Sequence, residues 1–165
     1  METMIKSILR LLQFLLVLLT TGLIGNVIAS NISGAESAVN FIMFVCALSW
    51  IAVLYGLVSH FVAAVAIPIV ALALDSASTL FTFIGAIVLS AKLQAVNCAN
   101  LGSKPSDYIA FGSNNDEKRC REIQASTVFL WFLFASFAAS LFFVLREFRR
   151  GGGSVRGPSM SQIGV

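Results

Sequence analysis

Four charge-poor apolar runs, at residues 7–28, 39–58, 66–91 and 127–145, limit what this chain can fold into. A helix needs about 20 mostly apolar residues to cross about 30 Å of hydrocarbon, and each run has roughly that length. Only 12% of residues are charged, against roughly a quarter in soluble domains, and the mean hydropathy is +0.89. The chain therefore reads as an integral membrane protein. Backbone polar groups in lipid must be paired within a helix or a closed barrel, and the two-residue alternation of barrel strands is absent. The expected fold is all-α: a membrane four-helix bundle over residues 1–150. Pro68 fits because in a first helical turn its missing N–H breaks no bond. Lys6 and Arg10 ahead of an apolar stretch, with Val27-Ile28-Ala29 at its end, also fit a secretory signal. The apolar stretch exceeds the roughly 7 to 15 residues of a signal core, so it is read as a span.

Basic residues near span ends stay on the cytoplasmic side. Lys6, Arg10, Arg146, Arg149, Arg150 and Arg156 lie toward the chain ends, and Lys92, Lys104, Lys118, Arg119 and Arg121 lie in segment 92–126. The latter group is interleaved with Asp107, Asp116, Glu117 and Glu122, whereas the terminal arginines have only Glu147 among them. Both termini are therefore expected in the cytoplasm, with segment 92–126 as an extracellular loop. Arg10 is expected to reach the headgroups along its aliphatic stem. Arg146, Arg149 and Arg150 stand where lipid headgroup contact is worth on the order of 1 kcal/mol per basic residue. They read equally as simple topology signals, and no nucleic-acid partner is expected. The Gly- and Ser-rich stretch 151–165 is expected to be a flexible cytoplasmic tail, with Ser154, Ser159 and Ser161 as candidate phosphorylation sites.

Cys98 and Cys120 both fall in the long segment, on the side where oxidising conditions favour a disulfide. Closing a loop of about 22 residues stabilises by roughly 3 kcal/mol in the chain-entropy account. The charges between them are expected to solvate a stapled lid. Cys46, inside the second span, is read as an apolar filler. Asn31-Ile32-Ser33 matches the glycosylation pattern but stands too close to the membrane for modification to be expected. A single histidine, His60, cannot make a metal site; it is read as a headgroup-level residue.

Asp75 stands well inside the third span, where an unpaired acid costs several kcal/mol. Tyr55, Gln13, Ser76 and Ser78 are candidate donors to it, and a polar clamp formed with Tyr55 is the favoured reading over a proton or ligand relay. On that reading Asp75→Asn preserves folding and Asp75→Leu does not. Small residues four apart, Ala52 with Gly56 and Ala135 with Ala139 together with Thr82/Ala86 and Ser136/Ser140, let helices approach closely. They are read as helix packing within one bundle, with homo-oligomer contact the alternative. Phe129, Trp131, Phe132, Phe134, Phe137, Phe142 and Phe143 spread around the fourth span, which suits lipid contact. No nucleophile and base, glycine-rich phosphate loop, metal cluster or cofactor motif is present, so no enzyme is expected.

Several short stretches, in order along most of the chain, resemble the fungal non-classical export protein family, four-span members of the MARVEL-domain superfamily. They are Leu9-Arg10, Gly22-Leu23-Ile24, Val39-Asn40, Met43-Phe44, Cys46-Ala47 and Leu54-Tyr55-Gly56. The series continues with Leu74-Asp75, Phe81-Thr82-Phe83, Cys98, Asn100, Arg119-Cys120-Arg121, Gln124-Ala125 and Pro158-Ser159-Met160-Ser161-Gln162. The family pattern places an acid shortly before Leu-Tyr-Gly, where this chain has Ile51-Ala52-Val53, so no role for that acid carries over. The resemblance implies a plasma-membrane organiser of furrow-like, eisosome-associated domains that responds to sphingolipid or sterol. It also implies eisosome-associated protein partners and a link to export of proteins lacking signal peptides. Two other classes compete: a small transporter or channel subunit using Asp75, and a membrane oxidoreductase using the cysteines. The oxidoreductase lacks a Cys-x-x-Cys-like pair.

Overall fold

A computed structural model describes residues 2–34, 36–62, 66–94, 96–102 and 104–150. The tail from Gly151, with Ser154, Arg156, Ser159 and Ser161, lies outside the described residues, as do the side chains of His60, Glu147 and Arg150. Four helices follow one another: α1 (Glu2–Ala29), α2 (Ser37–Phe61), α3 (Pro68–Leu93) and α4 (Asp116–Arg150). Each contains a stretch long and apolar enough to cross a membrane.

Local chemistry sets the ends. Extended Ile67 leads into Pro68 at the start of α3, where proline's fixed φ suits a first turn. The Tyr55 hydroxyl accepts from the Ile67 N–H at 3.1 Å and donates to its carbonyl at 3.2 Å, tying α2 to this start. At the other end of α3, Gln94 adopts φ 58°. In α4 the Asn115 side chain accepts from the Lys118 N–H at 2.9 Å, and Asp116 and Glu117 fill the first turn. A polar cap with acids behind it satisfies orphan donors and complements the helix dipole. The helix thus begins well before its apolar run, which corrects the expected loop of 92–126: Cys120 belongs to α4.

The helices form a ring in which α1 and α3 each pack against both α2 and α4. Across the diagonals, neither α1 with α3 nor α2 with α4 packs backbone to backbone among the described residues. Val17, Ile24 and Val27 of α1 meet Ile42, Val45 and Val53 of α2, Leu89 of α3, and Leu130, Leu133 and Phe137 of α4 in one core. The first run therefore supplies core to the bundle as any other span does. Phe132 and Phe142 face outward, 59% and 60% exposed, but Phe137 is fully buried, so the α4 aromatics do not all contact lipid. The inward face of α4 carries Ser136 and Ser140, whereas Ala135 is exposed and Ala139 half-buried. The Ala135/Ala139 packing pair is thus corrected to its neighbours one position along, whose hydroxyls and backbone serve the interior.

At the end opposite the termini, the two connections dock. Ile32 and Ser33 donate to the Gly112 carbonyl at 2.8 and 3.2 Å, and Asn31 bridges Ser113. Gly112 takes φ 100°, open to glycine, and a Cβ there would run into the Gly34 backbone. Cys98 and Cys120 are joined by a disulfide, and Tyr108 donates from its hydroxyl to the Leu93 carbonyl. Beneath them lies Arg119, 2% exposed. It donates to the carbonyls of Ile109 at 3.1 Å and Val27 at 3.2 Å and to Asn31 Oδ1 at 2.8 Å. The expected lid of solvated charges is therefore corrected: its central charge is buried and holds α1, α4 and both connections together. Asn31 Nδ2, where a glycan would attach, donates to Glu36 at 2.7 Å.

Candidate functional site: an ion pair across the bundle

Arg10 lies eight residues past Glu2 in α1 and Asp75 seven past Pro68 in α3. At 1.5 Å per residue both stand about 10–12 Å along their helices. The two helices run in the same direction, so the residues share one level of the bundle. The guanidinium donates from Nη1 to Asp75 Oδ1 at 2.8 Å and from Nη2 to Oδ2 at 2.7 Å. This forked pairing matches the planar donors of arginine to a carboxylate and fixes both groups. Arg10 is 7% exposed and Asp75 fully buried.

The pair is built into the other two helices as well. Arg10 Nη1 also donates to Gln13 Oε1 at 3.0 Å. Gln13 Nε2 in turn donates to the Ser136 carbonyl at 3.1 Å and to Ser140 Oγ at 2.8 Å. On the α2 side Gly56 supplies space: a Cβ there would stand 2.6 Å from Arg10 Cζ and 2.9 Å from Cδ. Its neighbour one turn back, Ala52, is buried as well. One cluster thus engages all four helices and bridges the diagonal that the backbones leave open. Ser78, one turn deeper than Asp75 on α3, has a buried hydroxyl without a hydrogen-bond partner.

The pairing corrects two expectations. Arg10 does not extend to the headgroups; it turns inward, because an acid at its own level makes the interior the better electrostatic environment. Asp75 is held by Arg10, while Tyr55 bonds the Ile67 backbone. Asp75→Asn is no longer expected to be mild, since it strands a buried arginine. Gln13 contributes through Arg10, Ser76 is exposed, and Ser78 is buried on the Asp75 face of α3. Arg146 and Arg149 are exposed at the end of α4. Among the described residues no group of three or more His, Cys, Asp or Glu side chains could hold a metal ion.

This architecture has relatives. Residues 3–143 match the MARVEL membrane-associating domain. Non-classical export protein 2 of Saccharomyces cerevisiae is 33% identical over 100% of this chain and 96% of its own length. The chain belongs to the fungal non-classical export protein family of MARVEL proteins. Non-classical export protein 102 of Candida albicans is 34% identical over 88% of this chain and 84% of its own. Non-classical export protein 2 homolog 1 of S. cerevisiae is 28% identical over 76% and 71%. No solved structure matches. As a MARVEL protein this chain is a multi-pass membrane protein, and its ionic cross-tie lies within the matched domain.

Proposed function

We propose that this protein is a non-enzymatic organiser of plasma-membrane domains that works through lipid contact and lateral association, with both termini cytoplasmic. In this role it takes part in export of proteins lacking signal peptides, by analogy with the relatives' names, and serves eisosome-associated, sphingolipid-responsive domains. The observation that carries the reading is the cross-tie. Arg10 occupies both oxygens of Asp75, the residue on which a transporter or channel would depend. A neutralised, doubly engaged acid locks helices together better than it relays protons. The surfaces that support this reading include the apolar outer face, with Leu11, Leu15, Leu54, Leu80, Phe132 and Phe142 exposed, and the basic end of α4.

Two measurements test the proposal. In fungal cells, the tagged protein is expected in plasma-membrane patches that disperse when sphingolipid synthesis is blocked. A uniform distribution unmoved by the block overturns the organiser reading. In liposomes, the purified protein is expected to carry no proton or solute flux; robust flux, abolished by Asp75→Asn in protein that still folds, establishes the transporter instead.

A further inference from the structure

At the disulfide-bearing end a shallow groove of about 500 Å³, largely open to its surroundings, runs between α1 and α4. Its floor is apolar, made by Leu23 and Ala125, and its rim carries Glu117, Lys118, Arg121 and Glu122. The order of these residues along the helices matters. The apolar part of α4 begins just beyond Ala125, so the four charges stand at headgroup level, whereas Leu23 lies more than a turn inside the end of α1. The groove therefore opens among headgroups and leads down into acyl chains.

The rim holds two bases and two acids, and their mutual pairing leaves capacity for a ligand. Lys118 approaches Glu122 at 3.7 Å, beyond hydrogen-bond distance, with its side chain 63% exposed. Arg121 reaches Glu117 through Nη2, and those side chains are 65% and 49% exposed. Exposed pairs of this kind hold each other weakly, so a better partner displaces them at little cost. Glu122 is fixed by the Asn26 amide at 2.6 Å, which gives the rim one rigid acid. A purely anionic headgroup would meet two carboxylates, and a purely cationic one two bases.

We propose that this groove binds one zwitterionic phospholipid. Lys118 and Arg121 take the phosphate, Glu117 and Glu122 face the ammonium group, and an acyl chain lies against Leu23 and Ala125. The proposal rests on the reading of this protein as one that works through lipid contact, and it gives that contact a stoichiometric site.

The test is native mass spectrometry of the full chain released from nanodiscs of equimolar phosphatidylcholine and phosphatidylglycerol. One phosphatidylcholine per chain is expected to survive release, in preference to phosphatidylglycerol. Lys118→Gln/Arg121→Gln is expected to lower that occupancy about tenfold, the scale of losing one good charged contact, while Lys104→Gln on the same end leaves it unchanged. Leu23→Trp, which fills the floor, gives a second variant should the double variant misfold, as read by loss of the disulfide. Preferential retention of phosphatidylglycerol, or occupancy unchanged in a folded double variant and in Leu23→Trp, overturns the site. Neither result bears on patch formation in cells, so failure of this site and failure of the organiser reading are separately visible.

Discussion

Gly56 of α2 lies against the guanidinium of Arg10 on α1, where its lack of a side chain lets the helix backbone approach the ion pair. A methyl group there would overlap Arg10 Nε, Cζ and Cδ. The rigid fork to Asp75 and the bond to Gln13 leave the guanidinium no easy retreat. Gly56→Ala is therefore expected to destabilise by about 1–3 kcal/mol, the usual cost of overpacking, despite its gain in helix propensity. Thermal unfolding in lipid nanodiscs checks this; an unchanged midpoint means that the pair can shift.

The pair itself is open to a double-mutant cycle. Asp75→Asn leaves a buried arginine uncompensated and Arg10→Gln leaves a buried acid, so each is expected to cost about 3–5 kcal/mol. The double variant removes both charges and should lose much less than the sum. Additive losses would show that the two residues do not act as a unit.

How the cross-tie escaped sequence reading has a physical explanation. The four spans were legible because apolar length is a direct requirement of the bilayer. Asp75 stood out as a lone acid, but Arg10 did not, because a span read from residue 7 puts it in the first turn. With α1 starting at Glu2, it stands as deep as Asp75. Matching the depth of a lone acid and a lone base on helices running the same way could have paired them. Gly56 read as a helix contact; nothing local shows that the contact is a guanidinium 46 residues back in the sequence. For Arg119 the signal was present: Asn115 followed by Asp116-Glu117 is a helix start, which places Arg119 on the first turn of α4.

Arg119 is the next residue to test. Its three acceptors lie on α1, the α1–α2 connection and the α3–α4 connection, and lysine cannot supply the same fork. Arg119→Lys is expected to lose about 3 kcal/mol, the scale of one or two charge-assisted hydrogen bonds. Hydrogen exchange should rise together in residues 31–34 and 108–113. Exchange confined to one connection would mean that Arg119 does not couple them.

The disulfide acts on the same end by a different route. Cys98→Ser/Cys120→Ser frees a loop with sequence separation 22 and should cost roughly 3 kcal/mol through the unfolded chain. Arg119 and its acceptors remain in place, so the loss should appear in global unfolding more than in local exchange at residues 108–113. Free thiols in the unaltered protein on non-reducing mass spectrometry would contradict the bridge.

Tyr108 provides a pH readout of this end. Burial pushes its phenol above the ordinary value, and its hydroxyl donates to Leu93, so the folded state holds the proton more tightly than the unfolded chain does. A raised acid pKa contributes nothing while both states are protonated. Once pH exceeds the unfolded value near 10, the unfolded chain releases its proton first, and stability falls with pH by at most about 1.4 kcal/mol per unit. The fall ends when the folded phenol also ionises. Other tyrosines and lysines titrate in the same range, so the comparison is with Tyr108→Phe. Below pH 9 that variant should be less stable, having lost the bond to Leu93, and above pH 10 the gap to the unaltered protein should narrow. A gap that stays constant across this range would mean that Tyr108 is not buried in its neutral form.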